Sequence, residues 1–251
     1  AANMVMHEGN EEGAGTWFCN LRDMGIDAVI VSDPALIEIC ATEAPGLEIH
    51  LSMQASATNV ETFQFWKNYG LTRVVLAREV SMEEVAEIRR RTDVEIEAFV
   101  HGAMCISYSG RCLLSNYFTG RDANRGSCAQ SCRWKYTLME EKRPGEYFPV
   151  FEDERGTYIF NSKDMCMIEY LPELINSGIN SFKVEGRMKS VHYVASVIKV
   201  YRQAIDSYYE NSHDYQVKKE WIEELNKGSH REYSTGFYLN KTTEKDQIYG
   251  N

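Results

Sequence analysis

The sequence contains no long hydrophobic run. No apolar stretch among its 251 residues approaches the ~18 residues that a membrane-spanning helix needs, so we expect a soluble protein. The first residues, AANMVMHEGNEEG, include neither the basic segment nor the apolar segment of a signal peptide. We therefore expect a cytoplasmic location, while noting that a chain beginning without Met looks like one that has been cut.

Several short catalytic motifs are also missing. The chain has no H-E-x-x-H, which would indicate a zinc protease, and no G-x-S-x-G, which would indicate a serine hydrolase. No G-x-G-x-x-G follows any predicted strand, which argues against a dinucleotide-binding fold. The formal net charge of −10 argues against non-specific binding of nucleic acid over the whole surface. A local basic patch is still compatible with this negative net charge.

Short apolar runs alternate with helical patterns along most of the chain. Strands are predicted at 3–7, 26–33, 47–54, 72–79, 94–101 and 180–185. Helices are predicted at 34–46, 59–70, 81–91, 162–178 and 192–210. This alternation is typical of a parallel sheet with right-handed crossover helices.

The fold class that we predict is α/β, a TIM-like (β/α) barrel that is truncated at its N-terminus here. Six strands are predicted, and the missing start of the chain would supply the rest of the barrel. An open, doubly wound sheet is the alternative. The partial barrel would span 1–210 and include a cysteine-rich insertion and hairpin at 103–160. We expect 211–251 to be a linker toward a missing C-terminal domain.

Four of the seven cysteines fall within 28 residues, spaced C-x6-C-x15-C-x3-C from Cys105 to Cys132. A disulfide scaffold is usual in small secreted chains, and this chain is neither small nor visibly secreted. Thiolates in this number suit an iron–sulfur cluster or a structural zinc site. The pair Cys128 and Cys132 fits zinc spacing, but Cys105 and Cys112 fit it poorly. The spacing alone leaves both possibilities open.

The segment EAFVHGAMCISYSGRCLLS (97–115) resembles the signature of the collagenase-like peptidase family U32. The later segments GSCAQSCRWKY, FNSKDM and FKVEGRMKS are similar to the same family. The resemblance covers roughly residues 1–245 and is strongest to the tRNA hydroxylation protein P group. The positions that fill the signature are Glu97, Phe99, Gly102, Cys105, Gly110, Cys112 and Ser115.

This resemblance implies an enzyme of tRNA modification. Its activity would be oxygen-independent 5-hydroxylation of the wobble uridine, with prephenate as the co-substrate that supplies the hydroxyl group. It also implies an iron–sulfur cluster of the 4Fe-4S type, held by Cys105, Cys112, Cys128 and Cys132, with Cys166 as a reserve ligand. The family name suggests a collagenase-like protease instead, for which Cys105 and His101 would form a dyad. A non-catalytic RNA-binding iron–sulfur protein is the third hypothesis.

Basic and aromatic residues interleave between positions 111 and 143. Seven basic and three acidic residues give this segment a net charge of +4. Basic groups bind phosphates, and aromatic faces stack on unpaired bases. The segment is therefore a candidate tRNA-binding surface, with Arg121 and Arg133 as candidate anticodon-loop contacts; a solvated loop is the alternative.

Polar residues also cluster at the predicted ends of the strands. We assign candidate catalytic roles to Glu97, His101, Lys183 and Glu185. Candidate ligands for a small dianionic co-substrate are Gln54, Arg78 and Arg187, because an arginine binds a carboxylate with two hydrogen bonds. An internal lattice of ion pairs is compatible with the same residues.

Overall fold

The computed structural model describes residues 1–105, 107–134 and 163–239. The chain divides into two compact units that are not consecutive in sequence. The first unit comprises Ala1–Ala98, Ser107–Ser131 and Gly178–Ser181. The second unit comprises Phe99–Ile106, Cys132–Ser177 and Phe182–Asn251. Among the helices in the described parts of the chain, none is both long and apolar enough to cross a membrane.

The first unit is built on parallel strands. They are β1 (Ala28–Val31), β2 (Glu48–Leu51), β3 (Arg73–Val75) and the first residues of β4 (Glu95–Ala103), paired in that order. Its helices are α1 (Ala14–Asp23), α2 (Pro34–Glu43), α3 (Val60–Asn68), α4 (Met82–Arg91) and α5 (Leu114–Thr119). Strand and helix alternate from β1 to β4, so the predicted α/β class with a mostly parallel sheet is confirmed.

Local signals in the sequence determine where these helices begin. Asn59 caps α3 by accepting a hydrogen bond from the Thr62 backbone N–H at 3.0 Å. Ser81 and Glu84 form the predicted capping box of α4. Each cap satisfies backbone N–H groups that the first helical turn leaves without a partner, which explains why both helices start within one residue of the prediction.

The second unit uses mixed strand directions. The end of β4 pairs antiparallel with β5 (Asp164–Cys166), and strand β6 (Ser181–Glu185) also pairs with β4. Strand β5 pairs parallel with β7 (Tyr233–Ser234). The helices are α6 (Leu171–Asn176), α7 (Val191–Glu210) and α8 (Lys219–Leu225). Fully buried side chains of this unit include Met165, Met167, Ile168, Leu171 and Leu174.

Two of the predicted elements are wrong. The segment 3–7 forms no strand, and the pairing nearby is a single bridge between Ala2 and Val31. The predicted helix at 162–178 is split, because Asp164–Cys166 pairs with β4 and β7 as strand β5. Helix α6 begins only at Leu171, where Pro172 occupies the first turn; proline is tolerated there because that N–H needs no helical partner.

Some predictions stay untested. The hairpin predicted within 135–160 lies outside the described residues, as do the last residues of the predicted linker. The described part of that linker contains α8 and β7. Barrel closure and the predicted domain boundary at 210 and 211 also stay predictions.

Candidate functional site

The four clustered cysteines have the chemistry of metal ligands. Cys112 is buried, and the other three, Cys105, Cys128 and Cys132, are half-buried. Within residues 1–105, 107–134 and 163–239, however, no group of three or more His, Cys, Asp or Glu side chains is arranged to hold a metal ion. The donor type fits an iron–sulfur cluster, while the described arrangement does not form a metal site. The cluster therefore stays a prediction.

The segment that carries Cys112 and Cys128 is held in place by hydrogen bonds within the first unit. The Asn124 side chain donates to the Cys112 carbonyl at 3.1 Å, and Gln54 donates to the Asn124 carbonyl at 3.1 Å. The Cys128 Sγ accepts a hydrogen bond from the Gln130 N–H at 3.3 Å. Gln54, a predicted substrate ligand, thus supports this segment.

The other predicted residues of the first unit differ in exposure. Glu97 is buried; its Oε2 accepts from the Ser181 hydroxyl at 3.3 Å and lies 3.7 Å from the Arg73 guanidinium. The Arg78 backbone N–H donates to the Ser109 hydroxyl at 3.3 Å. Arg121 is exposed. Glu97 therefore has the environment of an internal ion pair, whereas Arg121 is accessible to a partner.

In the second unit, Lys183 and Glu185 lie on β6. The Lys183 Nζ is 5.7 Å from the centre of the Phe99 ring, and the Glu185 carboxylate accepts from the Arg187 N–H at 3.1 Å. The backbone oxygen of Glu185 packs directly against Gly102, where a Cβ would clash with it. This side of β6 is thus packed closely against β4.

His101 lies at the centre of a buried aromatic cage in the second unit. Its ring centre is 6.0, 5.6 and 5.3 Å from those of Tyr193, Tyr201 and Tyr233. Burial lowers the pKa of His101 to about 4, even though the nearby Asp164 carboxylate favours the charged ring. The imidazole is therefore neutral near pH 7.

The hydrogen bonds of Tyr201 assign the tautomer of this neutral ring. The Tyr201 hydroxyl accepts from the Met167 N–H at 3.1 Å and lies 2.8 Å from the Val100 carbonyl, to which we assign its proton. Toward His101 Nδ1, 3.5 Å away, it then acts as an acceptor. We therefore assign the proton of the neutral ring to Nδ1. His101 Nε2 is left as a buried acceptor with no hydrogen-bond partner among the described residues. A buried acceptor of this kind suits a hydroxyl or N–H group of a ligand, or a water molecule.

Asp164 is fully buried among cationic groups of the same unit. Its Oδ1 is 2.7 Å from the Arg133 guanidinium, at an angle too poor for a hydrogen bond, and its Oδ2 is 3.7 Å from Lys189 Nζ. The Arg231 backbone N–H donates to Oδ2 at 3.3 Å, and the Arg231 guanidinium donates to the Arg133 carbonyl at 2.5 Å. Burial and the neighbouring Arg133 both lower the pKa of Arg231. The Asp164 carboxylate is thus surrounded by more positive than negative charge.

A buried hydroxyl completes this polar centre. The Tyr193 hydroxyl has no hydrogen-bond partner among the described residues, and burial raises the pKa of Tyr193 to about 12. The Lys189 Nζ lies 4.9 Å from the centre of the Tyr193 ring. A positive cluster that includes a hydroxyl donor and an imidazole acceptor can bind a small anion that also carries a hydroxyl group.

Sequence reasoning predicted His101 as a catalytic residue and Arg133 as an RNA contact, but not the carboxylate beside them. Arg133 is largely buried and pairs with Asp164, so it is not an exposed phosphate contact. Asp164 and Lys189 stand in the segments FNSKDM and FKVEGRMKS, so the family resemblance was the available signal. The helical pattern predicted over 162–178 gave no reason to bury Asp164. Only the strand pairing of β5 places it beside Arg133.

The neutral state of His101 predicts a pH dependence of stability. In the unfolded chain the His101 ring binds a second proton below about pH 6.5, and in the folded chain only below about pH 4. Between these values the unfolded state holds more protons, so stability should fall as the pH falls, by about 3 kcal/mol in total. Urea unfolding at several pH values would measure it. His101→Phe should remove most of this dependence of stability on pH, whereas His192→Gln, on the exposed side of α7, should keep it. An equal pH dependence in both variants would contradict the conclusion that His101 is neutral in the folded chain.

Comparison with known proteins places the chain in a family. The model of peptidase family U32 matches residues 1–248. The chain is 45% identical over 99% of its length to tRNA hydroxylation protein P1 of Bacillus subtilis (strain 168), and 42% identical over 90% of its length to tRNA hydroxylation protein P of Escherichia coli (strain K12). It is 37% identical over 84% of its length to the 23S rRNA 5-hydroxycytidine C2501 synthase of Escherichia coli (strain K12), covering 31% of that protein.

The chain belongs to peptidase family U32, as the sequence motifs predicted. It spans 58% of the length of each of the two tRNA hydroxylation proteins. The family name refers to peptidases, whereas the names of these relatives refer to hydroxylation of RNA.

Proposed function

We propose that this chain is part of an RNA-hydroxylating enzyme whose substrate is tRNA. The observation that carries the proposal is the 45% identity, over 99% of the chain, to a protein named for tRNA hydroxylation. The proposed reaction is the oxygen-independent 5-hydroxylation of the wobble uridine, with prephenate as the source of the hydroxyl group. The parallel order β1 to β4 supports a TIM-like barrel as the complete fold.

The proposed iron–sulfur cluster would be held by Cys105, Cys112, Cys128 and Cys132, with Cys166 as a reserve ligand. The support for this set is chemical, because thiolates are the usual ligands of such clusters. Burial raises the pKa of Cys166 to about 11, so a metal ion would have to displace a firmly held proton there. This favours the other four as ligands. When bound, the cluster would supply redox or Lewis-acid chemistry.

The positive centre around Asp164 would bind the dianionic co-substrate. Arg133 and Lys189 supply charge, Tyr193 supplies a hydroxyl donor, and His101 Nε2 supplies an acceptor for the hydroxyl group of the ligand. Prephenate carries two carboxylates and one hydroxyl group, which matches this combination. Arg187, which is exposed, is a further candidate at the end of β6.

The RNA-binding surface is proposed on the segment 107–131 of the first unit. Tyr108, Leu113, Tyr117 and Phe118 are exposed there, with Tyr117 at 83%. Arg111, Arg121 and Arg125 are exposed on the same segment. Exposed rings beside guanidinium groups are the combination that binds unpaired bases and their phosphates.

Arg121→Ala should weaken binding of an anticodon stem-loop RNA and reduce its salt dependence. Losing one phosphate contact lowers the slope of log K against log salt by roughly 0.7–0.9. Fluorescence anisotropy at several salt concentrations would measure both effects. Arg202→Ala, which removes an exposed arginine of α7, is the matched control. Unchanged affinity and slope in Arg121→Ala would remove the RNA surface from this segment.

Mass spectrometry of tRNA from a deletion strain tests the function directly. The strain should lack hydroxylated wobble uridine and regain it when the gene of the entire protein is restored. Substituting any of the four proposed cysteine ligands by serine should abolish the recovery and lower the iron content of the purified protein. Hydroxylated uridine that persists in the deletion strain, with no paralogue present, would refute the proposal.

A protease with Cys105 and His101 as its dyad is the alternative that the family name favours. A dyad of His101 with Cys166, its partner in the β4–β5 register, is disfavoured. A cysteine nucleophile needs a lowered pKa, and burial raises the pKa of Cys166 to about 11. Peptide-bond cleavage that survives substitution of all four clustered cysteines would favour a protease of another kind. A non-catalytic RNA-binding protein would bind the stem-loop RNA without restoring hydroxylation.

A further inference from the structure

A cavity of about 300 Å³ lies within the second unit, beside the His101 cage. Its wall comes from the chain after β5, from the end of α8 and from β7. The residues that line it are Cys166, Ile168, Glu169, Tyr170, Ile222, Leu225, Asn226, Tyr233, Ser234 and Thr235. Its volume is at the lower end of the range of small-molecule sites, about 300–1,000 Å³. It therefore has room for one small ring system.

The charge of the wall excludes an anionic ligand. None of the lining residues in the described chain is basic, and the acidic one is Glu169, which is exposed. A phosphate or carboxylate placed here would lose its hydration without gaining a cation and would be repelled by Glu169. The cavity thus differs from the positive centre around Asp164, and its ligand should carry no negative charge.

The remaining wall groups fit a flat, polar heterocycle. Ile168, Ile222 and Leu225 provide an apolar surface, and Tyr170 and Tyr233 provide aromatic rings. The Asn226 amide offers both a donor and an acceptor, which is the pattern needed to pair with the edge of a nucleobase. The Tyr233 hydroxyl donates to the Leu225 carbonyl at 3.2 Å, so the contribution of Tyr233 to the cavity is that of its ring.

The position of the cavity connects it to the candidate site. Tyr233 lines the cavity, and its ring centre is 5.3 Å from that of His101. Cys166 also lines the cavity and is the register partner of His101. A ligand in the cavity would therefore contact Tyr233, whose ring also belongs to the cage around His101.

We propose that this cavity receives one unpaired pyrimidine base, uracil in the first instance, turned out of the RNA strand. The inference rests on the proposed function, because it takes the ligand to be the target base of the RNA substrate. Enzymes that modify a base hold it outside the stack by ring contacts and by hydrogen bonds to its edge. The apolar wall, the two tyrosine rings and the Asn226 amide supply these contacts.

Filling the cavity tests the proposal without requiring turnover. Two anticodon stem-loop RNAs are compared, one with uridine at the first anticodon position and one with an abasic residue there. The wild-type chain should bind the uridine RNA about tenfold more tightly, because the contacts of a base with aromatic rings strengthen binding by roughly this factor or more. Ile222→Trp should bind both RNAs with the affinity of the abasic one.

Glu223→Trp is the matched control, because Glu223 is exposed on the same helix and does not line the cavity. It should keep the tenfold preference. If Ile222→Trp does not fold, as judged by circular dichroism, Asn226→Asp takes its place. That variant should also lose the preference, because the carboxylate removes the amide donor.

Two results would overturn the pocket: equal binding of uridine and abasic RNA by the wild-type chain, or a preserved preference in the cavity-filling variant. These results are distinct from a failure of the proposed function. A pocket variant that loses the preference, in a protein that never hydroxylates RNA, would support base binding and refute hydroxylation. If the protein hydroxylates RNA but the pocket variant keeps its preference for the uridine RNA, the proposed function is supported and base binding in this cavity is refuted.

Discussion

Replacing Asp164 by alanine should lower the free energy of unfolding by about 3–5 kcal/mol, because breaking a buried ion pair leaves its partner charged and uncompensated. Asp164 is fully buried, with Arg133 at 2.7 Å and Lys189 at 3.7 Å. Without the carboxylate, these cations would repel each other in a poorly hydrated region. Chemical denaturation of the entire chain, followed by circular dichroism, would measure the loss.

Asp206→Ala is the control for this substitution. Asp206 pairs with Arg202 on α7, and both side chains are more than half exposed. Exposed pairs contribute little, so this variant should lie within about 1 kcal/mol of the wild type. Comparable losses in the two variants, measured in the same buffer, would show that Asp164 is not the centre of the polar cluster.

Gly102→Ala should lower the free energy of unfolding almost as much as Asp164→Ala. At φ +109° the backbone is in a region that L side chains rarely adopt, which costs roughly 1–2 kcal/mol. A Cβ would also clash with the Glu185 backbone oxygen, which cannot rotate away as a side chain would. Overpacking of this kind costs about 1–3 kcal/mol, so we expect a total loss of roughly 2–5 kcal/mol. Thermal and urea unfolding would measure it.

Gly120→Ala separates the cost of the positive φ angle from the cost of the clash with Glu185. Gly120 also has a positive φ, +68°, but nothing lies within 4 Å of its Cβ position. This variant should show only the backbone cost, about 1–2 kcal/mol. If both variants lost the same stability, the close approach of β6 to Gly102 would be refuted. The expected difference would show that this signature glycine is needed for packing rather than for chemistry.

The parts of the fold that depend on local signals were predictable from the sequence. Helix α4 begins at the Ser81–Glu84 capping box, and α3 begins after Asn59, because both caps act within one turn. Strand β5 was not predictable, because its partners β4 and β7 lie far from it in the sequence, one before it and one after it. A short segment that gains its strand pairing from distant residues carries no periodic signal of its own.

The candidate site also contains residues that the local sequence predicts and residues that it does not. His101 was predicted because it ends an apolar strand within a recognisable motif. Its neighbours Asp164, Tyr193 and Tyr233 come from three separate parts of the chain, and no local pattern indicates that they meet. The cysteine spacing indicates the kind of ligand but not whether the four sulfur atoms converge.

The interleaving of the two units has a consequence for the order in which the protein is made. The first unit includes Gly178–Ser181, where the Asn180 side chain accepts from the Ile96 N–H at 2.9 Å and the Asn180 N–H donates to the Ile96 carbonyl at 2.9 Å. Chains emerge from the ribosome N-terminus first, at about 5–20 residues per second. The first unit therefore waits for seconds until Gly178–Ser181, which is synthesised well after the rest of that unit, has emerged. A ribosome that stalls before Asn180 leaves the unit without these hydrogen bonds to Ile96.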